Sequence, residues 1–366
     1  FNAKLRNLRT SKSLQSQNPQ TISGHLSPLF LGWIFSELNE MTLPVNDNRK
    51  LEIQRVRFCR GGRNGEKIMV ELVKGIIAAM QTPMNEDGSL NEAEMRNQIN
   101  REIRAGVDGV FCLGTNGEFF ILSLEERIRV MEIFVEEAKG RVPVYAGTGC
   151  VGTADTIYLS REAQRIGVDV ISVITPYFAA ISQEELYEHY RAVAEAVELP
   201  IVMYNIPMRA GVTIEPETVA RLADIPNIVG VKDSSGKLEL IQAYINATKG
   251  KEFAVLSGND ALILDTLKAG GTGGITAISN ILPEIMVSIY KKYLAGDEAG
   301  ARKAQDSIAP IRACFQYGNP NSIVKVATNL IGHPVGPCRK PFGLVPEEAK
   351  EAIARCIDTY YKEYKK

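Results

Sequence analysis

The residue with the clearest chemical potential is Lys232, which ends a short apolar run and precedes Asp233, Ser234 and Ser235. A lysine at the carboxyl end of a buried parallel strand places its amine in a cleft with little water. Burial disfavours the ammonium form, so more of the amine is neutral and nucleophilic near pH 7. A lysine that forms an imine (Schiff base) with a carbonyl substrate requires this state. The ordinary alternative is a surface lysine in a strand-to-helix turn, and the neighbouring motifs favour the catalytic interpretation.

Three further polar motifs follow other apolar runs. Thr115 and Asn116 lie in the glycine-flanked segment 114–118, whose backbone N–H groups could form an anion nest. Tyr204 ends a run 28 residues before Lys232, and the segment 257–260 follows another run. Each motif alone could serve only a turn or the core. Their joint occurrence after predicted strands favours a common site.

These residues together predict one mechanism for a small 2-oxo acid. Lys232 would attack the ketone carbon and lose water, and the imine would accept the electrons of a C3–H bond to give a nucleophilic enamine. Thr115 and Asn116 would hold the substrate carboxylate, Tyr204 would transfer protons, and the Thr115 hydroxyl would orient the phenol. The covalent imine on Lys232 serves as the electron sink, so the sequence predicts neither a metal nor a separate cofactor.

The elements that must position these residues alternate between apolar strands and amphipathic helices from Lys74 onward. The predicted strands cover residues 75–80, 109–113, 142–146, 170–174, 201–204, 228–232, 254–257 and 273–278. The predicted helices cover residues 91–105, 124–139, 153–166, 183–197, 216–223, 238–248 and 261–269. Ser123 and Ser182, each followed by glutamates, are typical helix starts. Eight βα units predict an α/β fold, a TIM (β/α)8 barrel, with an appended C-terminal helical layer over residues 282–364.

The segment 147–152 matches GxGxxG, follows a strand and precedes a helix, with Asp169 about twenty residues further on. This is the pattern of a dinucleotide-binding turn. It lies in the third of eight similar units rather than at the start of a sheet, which favours a barrel turn.

Composition limits the partners and the compartment. The chain has 366 residues, of which 45% are hydrophobic and 23% charged, and its net charge is −1. No nucleic-acid or membrane partner is expected from this charge, and the apolar block 26–35 is too short to span a bilayer. Six cysteines with no CxxC motif indicate free thiols in a reducing compartment, the cytoplasm. The three histidines are far apart in sequence, which argues against a histidine metal site.

Three domains are predicted: an N-terminal extension over residues 1–68, the barrel over residues 69–295 and a C-terminal helical subdomain over residues 296–366. The extension lacks periodicity and has no acidic residue before Glu37, as in a transit peptide. A disordered extension is a second interpretation. The third, which we favour, is translated upstream DNA with Met69 as the true start, because the chain begins with Phe1 and residues 61–67 are of a type that purine-rich DNA encodes.

The motifs as a set resemble the dihydrodipicolinate synthase / N-acetylneuraminate lyase family of pyruvate-dependent class I aldolases. The matching segments are GTNGE (114–118), PYF (176–178), YNIPMR (204–209), GVKDSSG (230–236) and SGND (257–260). The resemblance covers about residues 69–366. It implies pyruvate and a small aldehyde or 2-oxo acid as substrates, and a homotetramer built as a dimer of dimers.

Site roles follow from the resemblance position by position. It implies that Lys232 forms the Schiff base, that Tyr204 transfers protons and that Thr115 belongs to the hydroxyl relay. Gly258 and Ile275 would lie beside the lysine, Ile275 through its backbone carbonyl.

The substrate indications conflict. In the synthases a second tyrosine reaches in from the partner subunit, but this chain has Phe178 there, and Asn116 replaces a usual threonine. Arg209 matches the synthase arginine that holds the carboxylate of aspartate semialdehyde, and a guanidinium suits that task. Condensation of the synthase type is the first hypothesis. A 2-keto-3-deoxy sugar-acid aldolase or dehydratase, an N-acetylneuraminate lyase, and a catalytically idle ligand-binding barrel are the alternatives.

Overall fold

Eight short strands, buried along their whole length, form a closed parallel barrel in the computed structural model, which describes residues 70–366. The strands are β1 Gly75–Ala79, β2 Gly109–Cys112, β3 Val144–Gly147, β4 Val170–Ile174, β5 Ile201–Asn205, β6 Ile228–Asp233, β7 Ala254–Ser257 and β8 Gly273–Thr276. Each strand pairs with the next in sequence, and β8 pairs with β1 to close the ring. The predicted TIM barrel is confirmed. The interpretations of residues 1–68 concern residues outside this range.

Helices connect the strands and extend beyond the last one. Those of the barrel are α1 Glu92–Ala105, α2 Leu124–Ala138, α3 Thr153–Ile166, α4 Gln183–Ala196, α5 Pro207–Ala210, α6 Pro216–Leu222, α7 Leu238–Ala247 and α8 Ile263–Lys268. Those that follow β8 are α9 Pro283–Leu294, α10 Glu298–Ser307, α11 Ala309–Ala313, α12 Pro320–Leu330 and α13 Glu347–Tyr360. Within residues 70–366, no helix has the length and apolar character needed to cross a bilayer.

The C-terminal helices form the appended layer that the sequence predicts. Helix α9 packs against β1 and α1, and so completes the outer ring, while α12 and α13 pack against each other. The hydroxyl of Tyr361, just after α13, donates to the carbonyl of Ser307 at 2.7 Å and so ties the end of α13 to α10 within this layer. The division at residue 295 stays a prediction.

The barrel interior is filled by side chains of alternate strand positions, as expected for a small closed barrel. Its apolar cluster includes Phe111, Tyr145, Val202, Leu256 and Ile275. A larger cluster lies between the strands and the helices. The GxGxxG segment is confirmed as a barrel turn, since its first glycine ends β3.

Several predicted boundaries differ from the observed ones by one or two residues, and the end of β8 differs because of the buried carboxylate of Asp260. Its Oδ1 accepts hydrogen bonds from the backbone N–H groups of Ala277 and Ile278, at 3.0 and 3.3 Å. These bonds turn the chain away after Thr276, so β8 is shorter than predicted. The helix predicted at 261–269 begins as a 3₁₀ turn, Asp260–Leu262, which the Asn259 side chain caps, and only then continues as α8.

Candidate active site

Lys232 is the last residue but one of β6 and lies inside the barrel, with only 4% of its surface exposed. Its Nζ lies 4.2 Å from the ring centre of Tyr204 and 5.4 Å from that of Phe111. Both rings lie within the distance at which an aromatic face attracts an ammonium group, and they orient this side chain. The structure therefore places this amine in a shielded aromatic environment at the carboxyl end of the strands.

Gly258 gives the lysine its room. A Cβ at this position would lie 2.7 Å from Lys232 Cε and 2.1 Å from Ser234 Oγ, both closer than atoms can approach. Any side chain at 258 would therefore displace the lysine. The predicted proximity of Gly258 to Lys232 is an observed feature of the structure.

Tyr204 and Lys232 are direct neighbours in the β5–β6 register. The register shifts between Ile201 and Val202, so that Val202 pairs with Gly230 rather than Val229. Because side chains alternate along a strand, this one-residue shift decides which residues of β5 and β6 stand side by side. It places the phenol of Tyr204 beside the amine of Lys232.

Thr115 completes this group from the loop after β2. Its Oγ1 lies 3.3 Å from the hydroxyl of Tyr204. The loop is flanked by Leu113 at φ 59° and Glu118 at φ 57°, both in the left-handed region that side chains rarely adopt. Lys232, Tyr204 and Thr115, which lie far apart in sequence, thus form a connected group.

The side chain of Asn116 makes a hydrogen bond within the protein. Its Nδ2 donates to the carbonyl of Ala79 in β1 at 2.8 Å, which ties the loop to the neighbouring strand. The ligand role predicted for Asn116 stays a prediction. Ile275 is buried in the barrel interior with Phe111, and the role predicted for its carbonyl also remains a prediction.

Arg209 and Phe178 lie at the rim rather than beside the lysine. Arg209, in the short helix α5, donates from Nη2 to Asn319 Oδ1 at 3.4 Å. Phe178 is 98% exposed and has φ 83°, so the backbone holds its ring outward. Tyr177, before it, instead packs edge-on against Phe119 at 6.1 Å.

A small pocket opens at the carboxyl ends of the strands, between these groups. Thr115 and Tyr204 line it, together with Gly147, Gly149 and Ser172. Lys232 Nζ lies over the ring of Tyr204, one of the lining residues, at 4.2 Å from its centre. The glycines of the GxGxxG segment therefore form part of the wall of this pocket.

A hydrogen-bonded carboxylate that sequence reasoning missed supports the strand ends. Asp233, next to Lys232, accepts from Asn205 Nδ2 at 2.6 Å and from Ser235 Oγ at 2.6 Å. Burial raises the pKa of the Asp233 carboxyl, while the hydrogen bonds from Ser235 and Asn205 lower it. The signal was available, because the residue after an inward-facing lysine must face the helices and a polar one there needs partners.

Phe111 is the second residue that the sequence analysis missed. It lies at an inward position of β2 and supplies the second ring against the lysine amine. Strand alternation could have found it. A closed barrel with polar side chains gathered at the carboxyl ends of its strands defines a TIM-barrel enzyme.

Comparison with known proteins narrows this class. Residues 72–360 match the model of the dihydrodipicolinate synthetase family. The chain belongs to this family, as the motifs indicated. It is 41% identical over 286 residues to the 4-hydroxy-tetrahydrodipicolinate synthase of Methanopyrus kandleri, an alignment that covers 77% of this chain and 95% of the relative.

Solved structures give the same result. One is a prophage protein of the dihydrodipicolinic acid synthase family from E. coli K12 in complex with pyruvate, and another is the dihydrodipicolinate synthase from Acinetobacter baumannii complexed with pyruvate. Each is 34% identical to this chain and superposes with a TM-score of 0.76. The match covers 78% of this chain and 98% of the related chain.

Proposed function

We propose that this protein is a lyase of the 4-hydroxy-tetrahydrodipicolinate synthase type, which joins pyruvate to a small aldehyde through an imine on Lys232. The observation that carries the proposal is the connected group at the strand ends. The buried amine of Lys232 contacts the ring of Tyr204, whose hydroxyl lies 3.3 Å from Thr115 Oγ1. The two pyruvate complexes among the related structures support pyruvate as the first substrate.

The proposed steps balance with these groups alone. Lys232 Nζ adds to the keto carbon of pyruvate, and water leaves as the imine forms. The Tyr204 phenol gives its proton to the departing hydroxyl, and the phenolate then takes a proton from the methyl group while the imine accepts the electron pair. The resulting enamine carbon bonds to the aldehyde carbon. Tyr204 donates a proton to the developing alkoxide, and addition of water to the imine frees the lysine. Neither a metal nor a separate cofactor enters these steps.

The remaining residues are proposed to bind and shape the substrates. Thr115 and Asn116 would hold the carboxylate of pyruvate through loop 114–118. Gly258 gives the lysine side chain its space, and the Ile275 carbonyl would face the imine. Arg209 at the rim would pair with a carboxylate on the incoming aldehyde.

A second candidate is a 2-keto-3-deoxy sugar-acid aldolase or dehydratase, with N-acetylneuraminate lyase as a related possibility. The observation that favours it is Phe178, which has no hydroxyl at the position of the second tyrosine of the synthases. A neutral aldehyde would also place no demand on Arg209. Both candidates share the chemistry at Lys232 and differ only in the second substrate.

Reductive trapping tests the shared chemistry. Borohydride with pyruvate should convert the imine to a stable secondary amine, and mass spectrometry should locate a pyruvyl adduct on Lys232. Lys232→Ala should give neither adduct nor turnover, whereas Lys237→Ala, a variant of a lysine outside the group, should behave as wild type. An unmodified Lys232 in the wild-type protein would instead support an idle ligand-binding barrel.

Arg209→Ala separates the two candidates for the second substrate. If the guanidinium pairs with a carboxylate, its loss should slow condensation with acidic aldehydes about tenfold or more and leave neutral aldehydes nearly unchanged. Initial rates with pyruvate and a panel of aldehydes measure this. Equal losses for acidic and neutral aldehydes would reject the role.

We further propose a homotetramer in the cytoplasm. The exposed ring of Phe178 supports assembly, since a second copy of the chain would cover it, as the family resemblance implies. Among the described residues Cys112, Cys150, Cys314, Cys338 and Cys356 are free thiols, which supports a reducing compartment.

A further inference from the structure

The loop that carries Thr115 is held from outside the barrel by a buried ion pair. Lys325, in helix α12 of the C-terminal layer, places its Nζ 2.6 Å from Glu118 Oε1, and the two side chains are 2% and 1% exposed. The other carboxylate oxygen, Oε2, accepts the backbone N–H of Arg339 at 3.0 Å. Lys325 Nζ also donates to the carbonyl of Pro337 at 2.9 Å.

A second tie comes from the same face of the same helix. Asn321 lies four residues before Lys325, so both side chains point in one direction. Its Nδ2 donates to the carbonyl of Thr115 itself at 2.5 Å. Helix α12 therefore holds both Thr115 and the end of its loop at Glu118.

The loop needs such ties because its backbone is unfavourable. Leu113 and Glu118 are both in the left-handed region, a conformation that persists only where the surroundings impose it. The distance from Thr115 Oγ1 to the Tyr204 hydroxyl, 3.3 Å, is already long for a hydrogen bond between hydroxyls. A small relaxation of the loop would break this contact.

A purely structural role explains the pair poorly. Burying two charges costs much of what their attraction returns, and an apolar pair of similar volume commonly stabilises a fold as well or better. What an apolar pair lacks is direction, since the Glu118 carboxylate faces the Lys325 ammonium with one oxygen and accepts the backbone N–H of Arg339 with the other.

We propose that Lys325 is a positioning residue for the reaction: through Glu118, and aided by Asn321, it holds Thr115 within reach of the Tyr204 hydroxyl. The proposal rests on the relay of Tyr204 and Thr115 given above. It makes the C-terminal layer part of the catalytic apparatus, although none of its residues enters the group around Lys232.

The test is a double-mutant cycle between Lys325→Met and Thr115→Val, with three readouts: pyruvate trapping by borohydride, kcat and KM for pyruvate, and thermal unfolding. Lys325→Met should still trap pyruvate on Lys232 and keep KM within about twofold, while kcat falls about 10- to 100-fold, as for a misplaced catalytic group. In the Thr115→Val background the same change should cost little more, because both act on one contact. Lys325→Arg should recover much of the rate.

Asn329→Ala is the matched control. Asn329 lies on α12, and its side chain bonds the carbonyls of Lys325 and Gly336, but it does not contact loop 114–118. It should lower the unfolding temperature and leave kcat of the folded enzyme within about twofold. If Lys325→Met does not fold, Asn321→Ala carries the same expectation with a smaller loss.

Three outcomes would overturn the proposal. In the first, Lys325→Met has wild-type kcat, or loses kcat equally with and without Thr115. In the second, Asn329→Ala loses as much kcat as Lys325→Met. In the third, Thr115→Val turns over at the wild-type rate, which would also remove Thr115 from the proposed function. Slow turnover in Thr115→Val together with normal turnover in Lys325→Met would reject this inference and leave the proposed function standing.

Discussion

Single residues in this site act through contacts that orient them. The amine of Lys232 rests over the ring of Tyr204, and Gly258 leaves the space in which its side chain lies. Tyr204 thus has two separable parts, a ring that packs against the lysine and a hydroxyl that faces Thr115. A substitution that removes only the hydroxyl can test the second part.

Tyr204→Phe should keep the ring contact and lose the proton-transfer group. We expect imine trapping to persist and turnover to fall by ~10²–10⁴-fold, the usual cost of a positioned acid–base group. Steady-state kinetics with pyruvate and the best aldehyde of the panel measure this loss. Tyr293→Phe, which removes a hydroxyl bonded to the carbonyl of Leu267 away from the pocket, is the control and should turn over normally. A wild-type rate in Tyr204→Phe would exclude the phenol from the mechanism.

At the scale of elements, local sequence signals decided where helices begin. Ser123 and Ser182 cap α2 and α4 with complete capping boxes, in which Glu126 and Glu185 return hydrogen bonds to the cap residues. These starts were predicted correctly because the signal lies within four residues. The faces by which helices contact one another depend instead on residues distant in sequence. On α1 this packing buries a carboxylate.

Glu102 on α1 is fully buried, and Arg101 Nη1 is 4.0 Å away. Burial raises its pKa from 4.5 to about 8. In the unfolded chain Glu102 loses its proton above its ordinary pKa of 4.5, whereas in the folded protein it keeps the proton up to about pH 8. Folding therefore takes up a proton between these two pH values. The contribution of Glu102 to stability must fall as pH rises through this window and level off above it.

Glu102→Gln should remove this dependence. We expect the variant to gain stability over wild type as pH rises from 5 to 8.5, measured by urea unfolding at each pH. Asp306→Asn, at a largely exposed carboxylate of α10, is the control and should show no comparable trend. A stability difference between Glu102→Gln and wild type that stays constant with pH would mean that Glu102 titrates normally in the folded state.

At the scale of the whole molecule, the closed ring brings together strand ends that are remote in sequence, and the C-terminal layer supports the site from outside. The same end of the barrel carries the exposed ring of Phe178, which the backbone holds outward at φ 83°. A single exposed apolar ring is ordinary on a protein surface, so the assembly is proposed from the family resemblance, which implies that this position reaches the active site of a partner subunit.

Phe178→Glu should weaken the proposed assembly. We expect sedimentation velocity at micromolar concentration to show a tetramer for wild type and smaller species for the variant, since a charge would have to be desolvated in the contact. Leu294→Glu, an exposed residue at the end of α9, is the control and should leave the assembly unchanged. A wild-type protein that sediments as a monomer would contradict the proposal.

The sequence by itself determined the eight alternating units, the helix starts after Ser123 and Ser182, the family, and three residues that the fold brings together, Lys232, Tyr204 and Thr115. Each of these depends on local order: strand and helix periods, caps, and short motifs around Lys232, Tyr204 and Thr115. The sequence also showed, through Phe178 and Arg209, that the second substrate is the open question.

Only the tertiary structure decided which side chains touch. Three contacts join residues from different elements: the shifted pairing of β5 with β6, the hydrogen bond from the Asn116 amide to the Ala79 carbonyl, and the ion pair of Lys325 with Glu118. Local patterns carry no information about such contacts, because pairing and packing are set by the whole ring and the layer around it. The lysine could be found from the chain alone, whereas the residues that hold its partners in place required the fold.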